Sequence, residues 1–306
     1  MRSRQICMTQ PDGEQAGMTP RDYFLYAVMV FGWSTSWIML KQQLGVVAPE
    51  VSLFWRYLAA ALLMFGLSAV LRQRLRFAAH DHLRFLALGF FLFSANFLLF
   101  YYAGSYGASG LLAVVFSTAS LIIVLMVALI SRQMPKWMHL LAAVIGISGV
   151  LLLYLPELRA SETALVSLGL CLAGTLFFST GNLVSAATQR AGLPVMGAST
   201  WGMAYGTGLL GLFALANGSP FIIEFTPVYL LSLAWLVVIS SVITFACYLT
   251  LVGRIGPGRA GYATVIFPAF ALLISTAFES YQWSIFALFG LALVVTGNII
   301  MVRSRS

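Results

Sequence analysis

The sequence is short of charge: 8% of its 306 residues are Asp, Glu, Lys or Arg, where a soluble domain carries about 25%. Water is therefore excluded as the solvent for most of its surface. Acids are the scarcer sign. All nine, Asp12, Glu14, Asp22, Glu50, Asp81, Glu157, Glu162, Glu224 and Glu279, fall in tails, links or the ends of apolar runs. The histidines His80, His82 and His139 lie at the edges of such runs. No carboxylate or imidazole is then at hand at mid-membrane to relay a proton. No Ser/His/Asp, paired-Asp or metal-ligand arrangement can be assembled either, so the chain is expected to be no enzyme and to carry no metal or cofactor. The three cysteines, Cys7, Cys171 and Cys247, are far apart with neither pairing nor ligand spacing. Short alternating strands are missing too, which excludes a membrane β-barrel.

What the sequence has is apolar length: 60% of it is hydrophobic. A helix crossing the bilayer core needs about 20 apolar residues. Ten such runs can be drawn, at roughly 23–43, 50–71, 83–103, 108–130, 137–155, 167–187, 195–216, 229–252, 259–278 and 283–302. The polar stretch 1–22 reads as a cytoplasmic tail. Because no A-x-A-like site follows the first run, and the run exceeds a signal h-region, it is expected to be retained as a helix.

A net charge of +8 would suggest a nucleic-acid partner in a soluble protein, but here the basic residues occupy short links between apolar runs. With the N-terminus inside, fourteen of the seventeen Lys and Arg fall on the inner side. Lys41 and Arg159 fall outside, and Arg56 alone lies within a run. Such asymmetry sets orientation in a bilayer, so both termini are expected in the cytoplasm and no nucleic acid is implied.

The chain also resembles itself. A shift of 145 brings Trp33-Ser34-Thr35 onto Phe178-Ser179-Thr180 and Pro49 onto Pro194. A shift of 151 brings Gly107, Gly110, Val114, Val115 and Phe116 onto Gly258, Gly261, Val265, Ile266 and Phe267. Two halves of five spans, an odd number, must enter the membrane from opposite sides. The fold expected is all-α, with ten transmembrane helices in two inverted five-helix repeats, 23–155 and 156–302, and a short tail at 303–306. That architecture suits a transporter whose site lies near the midplane.

Gly32-Trp33-Ser34-Thr35, Phe54-Trp55-Arg56-Tyr57, the small-residue stretches Gly107 to Gly110 and Gly256 to Gly261, and Phe267-Pro268 together resemble the drug/metabolite transporter superfamily, of the kind with two EamA-type repeats. Within it the chain is most similar to YddG-like amino-acid exporters. The resemblance spans 23–302 and implies a carrier of small metabolites in a bacterial cytoplasmic membrane, with a cavity between the first, third, fourth, sixth, eighth and ninth helices. The chain departs from the pattern at Ser117, where proline is common and where the partner position is Pro268.

Trp33 and Trp37 lie deep in the first run, one turn apart on one face, beside Ser34. Tryptophan normally marks the interfaces, so these two are read as cavity walls, with lipid-facing or packing roles as the alternative. Phe178, Ser179 and Asn182 offer the matching surface in the sixth run, and Asn96, Ser117, Thr244, Tyr248 and Phe267 complete the expected lining. Pro268 is read as a hinge, since proline frees a backbone carbonyl. Arg56 is either a structural charge snorkelling outward, toward Glu50, or a gating or carboxylate-binding group. The reading that results is a carrier of amino acids, aromatic and apolar ones included, working by facilitated diffusion in the export direction. Its alternatives are a drug or nucleotide-sugar carrier of the same fold, or a membrane assembly partner. For a nucleotide sugar the one mid-span cation, Arg56, is too few.

An even number of spans has a direct test. Reporter fusions to the two termini report the same compartment, and single cysteines placed at Arg74 and Arg159 react with an impermeant thiol reagent from opposite sides. Termini in different compartments would sink the ten-span map.

Overall fold

The computed structural model describes residues 18–261 and 263–303, and among these there is no β-strand. The described residues form ten helical spans: α1 Pro20–Lys41, α2 Pro49–Val70, α3 Ala79–Gly104, α4 Ser109–Ser131, α5 Trp137–Ala160, α6 Thr163–Arg190, α7 Val195–Ala216, α8 227–261, α9 Ala263–Glu279 and α10 Ile285–Arg303. Eight of the described helices are long and apolar enough to cross a membrane. The other two are α7, whose apolar residues are diluted by Gly, Ala, Ser and Thr, and the shorter α9.

Three boundaries differ from expectation, each for a local reason. α1 starts at Pro20 because Thr19 and Asp22 form a capping box, the Asp22 carboxylate accepting from the Thr19 amide at 2.9 Å. α5 runs on through Pro156 to Ala160, so the expected repeat boundary at 155 and 156 lies within a helix. Helix also continues through Gly256-Pro257-Gly258, which reads as a break in the sequence. Both stretches lie at helix ends, Pro156 beside Glu157 and Arg159 and the Gly-Pro-Gly between Arg254 and Arg259, so helix runs on past the apolar length that the sequence marks out. Of the expected tail, 1–22, the last residues from Pro20 belong to α1, and residues 1–17, with Cys7, Asp12 and Glu14, lie outside the described residues.

Apolar side chains such as Phe24, Phe31, Leu129, Ile130, Val144, Leu165, Leu231 and Phe289 are exposed around the bundle, as a lipid-facing surface requires. Inside, helix pairs approach through glycines. α5 and α10 touch backbone to backbone: a Cβ on Gly149 would sit 2.7 Å from the Gly290 carbonyl oxygen, and one on Gly290 2.7 Å from that of Gly149. α3 and α7 do the same at Gly89 and Gly202, where an added Cβ on Gly89 would meet the Gly202 oxygen at 2.8 Å. Small residues at such crossings let backbones pack closely where lipid removes the hydrophobic drive for helix association. α1 packs on α8 and α9, α6 packs on α3 and α4, and α2 crosses α7 while α4 crosses α9.

Gly149→Val places two methyls against a backbone oxygen that cannot yield. The melting temperature of the purified protein should fall by several degrees, corresponding to about 1–3 kcal/mol of overpacking. An unchanged melting temperature would show that α5 and α10 do not pack on that face.

Candidate functional site

The aromatic residues singled out in the sequence converge between α1, α3, α4, α6, α8 and α9. Trp33 lies 5.5 Å from Tyr248 and 6.1 Å from Phe267, ring centre to ring centre. Trp37 lies 5.2 Å from Phe100 and 5.4 Å from Phe116, edge-on or tilted in each case. Phe116 in turn stands 4.5 Å from Phe178 and 6.2 Å from Phe267. One cluster thus joins both halves of the chain. Phe100 and Phe116 are members that sequence reading left out of the lining, although Phe116 was already paired with Phe267 by the repeat.

The hydroxyls nearby are less available than expected. Ser34 Oγ bonds the Val30 carbonyl at 2.7 Å and the Phe267 carbonyl at 3.1 Å. Its repeat partner Ser179 bonds the Thr175 carbonyl at 2.8 Å and the Ala119 carbonyl at 3.4 Å. Each serine ties its own helix to the facing one, α9 or α4. Ser117 donates to Val114 O at 2.7 Å, and Asn182 donates to Phe178 O at 2.9 Å. These protons are committed to backbone. Two expected residues keep unused capacity: Asn96, fully buried, has no partner for either amide atom, and buried Thr244 has none for Oγ1. A buried polar group left unpaired costs about 1–3 kcal/mol, a cost the fold carries at both positions.

The helices beside this cluster are interrupted. α3 breaks at Ser94, where φ is -135° and ψ -78°, and Ser94 Oγ bonds Gly89 O at 2.9 Å. α8 widens into a π-helical stretch at Leu236–Ile243, where Ser241 Oγ bonds Leu236 O at 2.8 Å. In both the serine reaches the carbonyl five residues back, where a regular turn would use four, and this supports the wider turn. α4 breaks at Thr118. Ser117 and Thr118 each bond the carbonyl three residues back, at 2.7 and 2.6 Å, tightening the turn. α9 carries buried Pro268 at the corresponding depth. Thus α4 is interrupted without a proline, its hydroxyl pair serving instead. Asn298 of α10 holds that break, donating to Ser117 Oγ and accepting from Ser120 Oγ, both at 3.1 Å. Sequence reading missed Asn298; its signal was that of an amide inside the last apolar run.

Both ends of α1 are pinned. Asp22 accepts from Arg254 Nε of α8 at 2.5 Å. At the far end the Lys41 ammonium donates to the Gly104 and Gly107 carbonyls, the latter at 2.9 Å. Close by, Glu279 closes α9 onto the start of α4, accepting from the Ser109 amide at 3.0 Å and from Ser275 Oγ at 2.7 Å. The acids do sit at helix ends, yet Asp22 and Glu50 are buried, 3% exposed each, because they clasp neighbours.

Arg56 corrects the snorkelling reading. It is 3% exposed, its Nη2 reaching Ser241 Oγ at 3.4 Å. Glu50 turns elsewhere, accepting from the Tyr102 hydroxyl at 2.9 Å and Ser219 Oγ at 2.5 Å. A groove between α9 and α10 is lined by Val265, Ile266, Ala269, Phe270, Val295 and Ile299, together with Arg303, and is mostly apolar.

Fold and composition together define an integral membrane protein. Residues 21–155 match the EamA-like transporter family, of the drug/metabolite transporter superfamily. Protein PagO of Salmonella typhimurium is 22% identical over 295 residues, covering 92% of this chain and 93% of that protein. An uncharacterized transporter of Buchnera aphidicola is 23% identical over 136 residues, 44% of this chain and 45% of the relative. A crystal structure shares the fold with a TM-score of 0.65 at 15% identity, covering 92% of this chain and 96% of its own.

The crossing of α1 and α8 beside Trp33 is tight: a Cβ on Gly32 would lie 2.0 Å from Thr244 Oγ1. Gly32→Ala should lower the melting temperature and the yield of folded protein. Adding Thr244→Ala should recover most of the loss, since that hydroxyl makes no hydrogen bond. Strictly additive effects would refute the contact.

Proposed function

We propose that this protein is a two-repeat carrier of amino acids and related small metabolites, aromatic and apolar ones included, working by alternating access in a bacterial cytoplasmic membrane. The observation that carries the reading is the single aromatic cluster of Trp33, Trp37, Phe116, Phe178 and Phe267, shared between halves and flanked by interrupted helices. Replacing each helix by the one five later exchanges the packing of α6 on α3 and α4 for that of α1 on α8 and α9. It also exchanges the Ser34 tie for the Ser179 tie. That correspondence supports an inverted repeat, in which the halves trade roles as the site opens to one side and then the other.

The pinned ends of α1 suit such a cycle. Asp22 with Arg254 would close one end, and Lys41 with the α3–α4 link and Glu279 with Ser109 would close the other. Polar bonds of this kind can break and re-form in water at modest net cost. Broken α4 and proline-bearing α9 supply bending points beside the cluster, Pro268 acting as the hinge on its side. Aromatic faces suit apolar side chains and also the ammonium of a zwitterion. Because every described acid, buried Asp22 and Glu50 included, lies at a helix end or in a link, the described residues offer no carboxylate at mid-membrane to relay a proton; facilitated diffusion follows, in the export direction when the cell holds the higher concentration.

Proteoliposomes containing the purified protein should equilibrate at least one labelled aromatic or apolar amino acid, at a rate that an imposed pH gradient leaves unchanged. Trp33→Ala should shift preference among substrates by about tenfold, or about 1.4 kcal/mol. No flux for any amino acid would end the amino-acid reading, and acceleration by a proton gradient would overturn the uncoupled one.

A further inference from the structure

Arg56 is the anomaly in this bundle. It lies two turns into α2, 3% exposed, and forms no salt bridge among the described residues, where the ion pairs are Arg254 with Asp22 and His80 with Asp81. Guanidinium stays protonated in any protein environment, so burial cannot discharge it. A buried charge of fixed sign needs compensation. What the fold supplies is uncharged: Ser241 Oγ at 3.4 Å, the nearby hydroxyl of fully buried Tyr101, and the faces of Phe97 and Tyr57, 4.8 and 5.2 Å from the guanidinium carbon. Its Nε has no hydrogen-bond partner. The nearest plausible counter-ion by sequence, Glu50, is spent on Tyr102 and Ser219. Beside Phe97 on α3 stands Asn96, fully buried, with both amide atoms unpaired.

We infer that Arg56 is the carboxylate subsite of the transported molecule. This deepens the carrier reading proposed above and rests on it. A planar guanidinium fork matches a carboxylate. One cation, with no second Lys or Arg beside it, matches a monoanion and leaves the double charge of a phosphate ester unmet. Phe97 and Phe100 are three residues apart on α3; the first faces Arg56, and the second packs on Trp37 at 5.2 Å. The charged subsite and the aromatic cluster therefore lie along one stretch of α3. A zwitterion would set its carboxylate at Arg56 and its ammonium or apolar side chain against the aromatic faces. Ser241 belongs to the π stretch of α8, so charge compensation at Arg56 acts directly on an interrupted helix.

The test is ligand-induced thermal stabilisation of the purified full chain in detergent, with L-phenylalanine, L-phenylalaninamide, benzoate and benzamide as probes. Both carboxylates should raise the melting temperature at about 10 mM, and neither amide should. Arg56→Gln should abolish that difference. Arg56→Lys, which keeps the charge and loses the fork, should weaken carboxylate binding by about tenfold. Equal stabilisation by acid and amide, no stabilisation by either acid, or an unaltered preference in Arg56→Gln overturns the assignment. If the Gln variant does not fold, Arg56→Lys binding the acids as tightly as wild type overturns it equally. Flux in proteoliposomes separates the two readings. Transport indifferent to the carboxylate refutes the subsite and leaves the carrier. Carboxylate-selective stabilisation without any flux refutes the carrier and leaves the subsite.

Discussion

Every backbone amide that enters hydrocarbon has to find its acceptor within the protein. The rest of this structure follows from that constraint. It makes the described chain helical. It also decides where helices are permitted to fail. The irregular turns of α3, α4 and α8 coincide with Ser94, with Ser117 and Thr118, and with Ser241, whose hydroxyls bond carbonyls at the irregular turns. Hydroxyls that look like ligand-binding groups in the sequence are, in the fold, the reason the helices bend there.

The second constraint is the absence of a hydrophobic drive between helices in lipid. Close crossings at Gly149 with Gly290 and Gly89 with Gly202 replace it with backbone-to-backbone contact. Side-chain bulk is then concentrated in one place, the aromatic cluster of Trp33, Trp37, Phe100, Phe116, Phe178 and Phe267, between helices that are themselves interrupted.

Charge follows the same logic. Asp22 with Arg254 and Lys41 with the glycine carbonyls sit at the two ends of one helix, where water can receive them when they part. Arg56 has no such exit: it is buried within α2, with Ser241 Oγ as a neutral partner and its Nε unpaired.

Sequence alone determined the helical class, the number of spans and four residues of the aromatic cluster, because period, length and composition are properties of contiguous chain. It pointed to Trp33, Trp37, Phe178 and Phe267, and these do meet. It could not tell which polar side chains spend their protons on the backbone, because Ser34 and Ser179 look alike whether they face a ligand or a carbonyl. It placed Arg56 near Glu50 by proximity along the helix, while the fold turned Glu50 to Tyr102 and Ser219 and brought Ser241, 185 residues away, to Arg56. The bracing of Ser117 by Asn298, 181 residues on, was equally out of reach. Partners so distant in the chain are chosen by helix packing, and only the tertiary structure decides them.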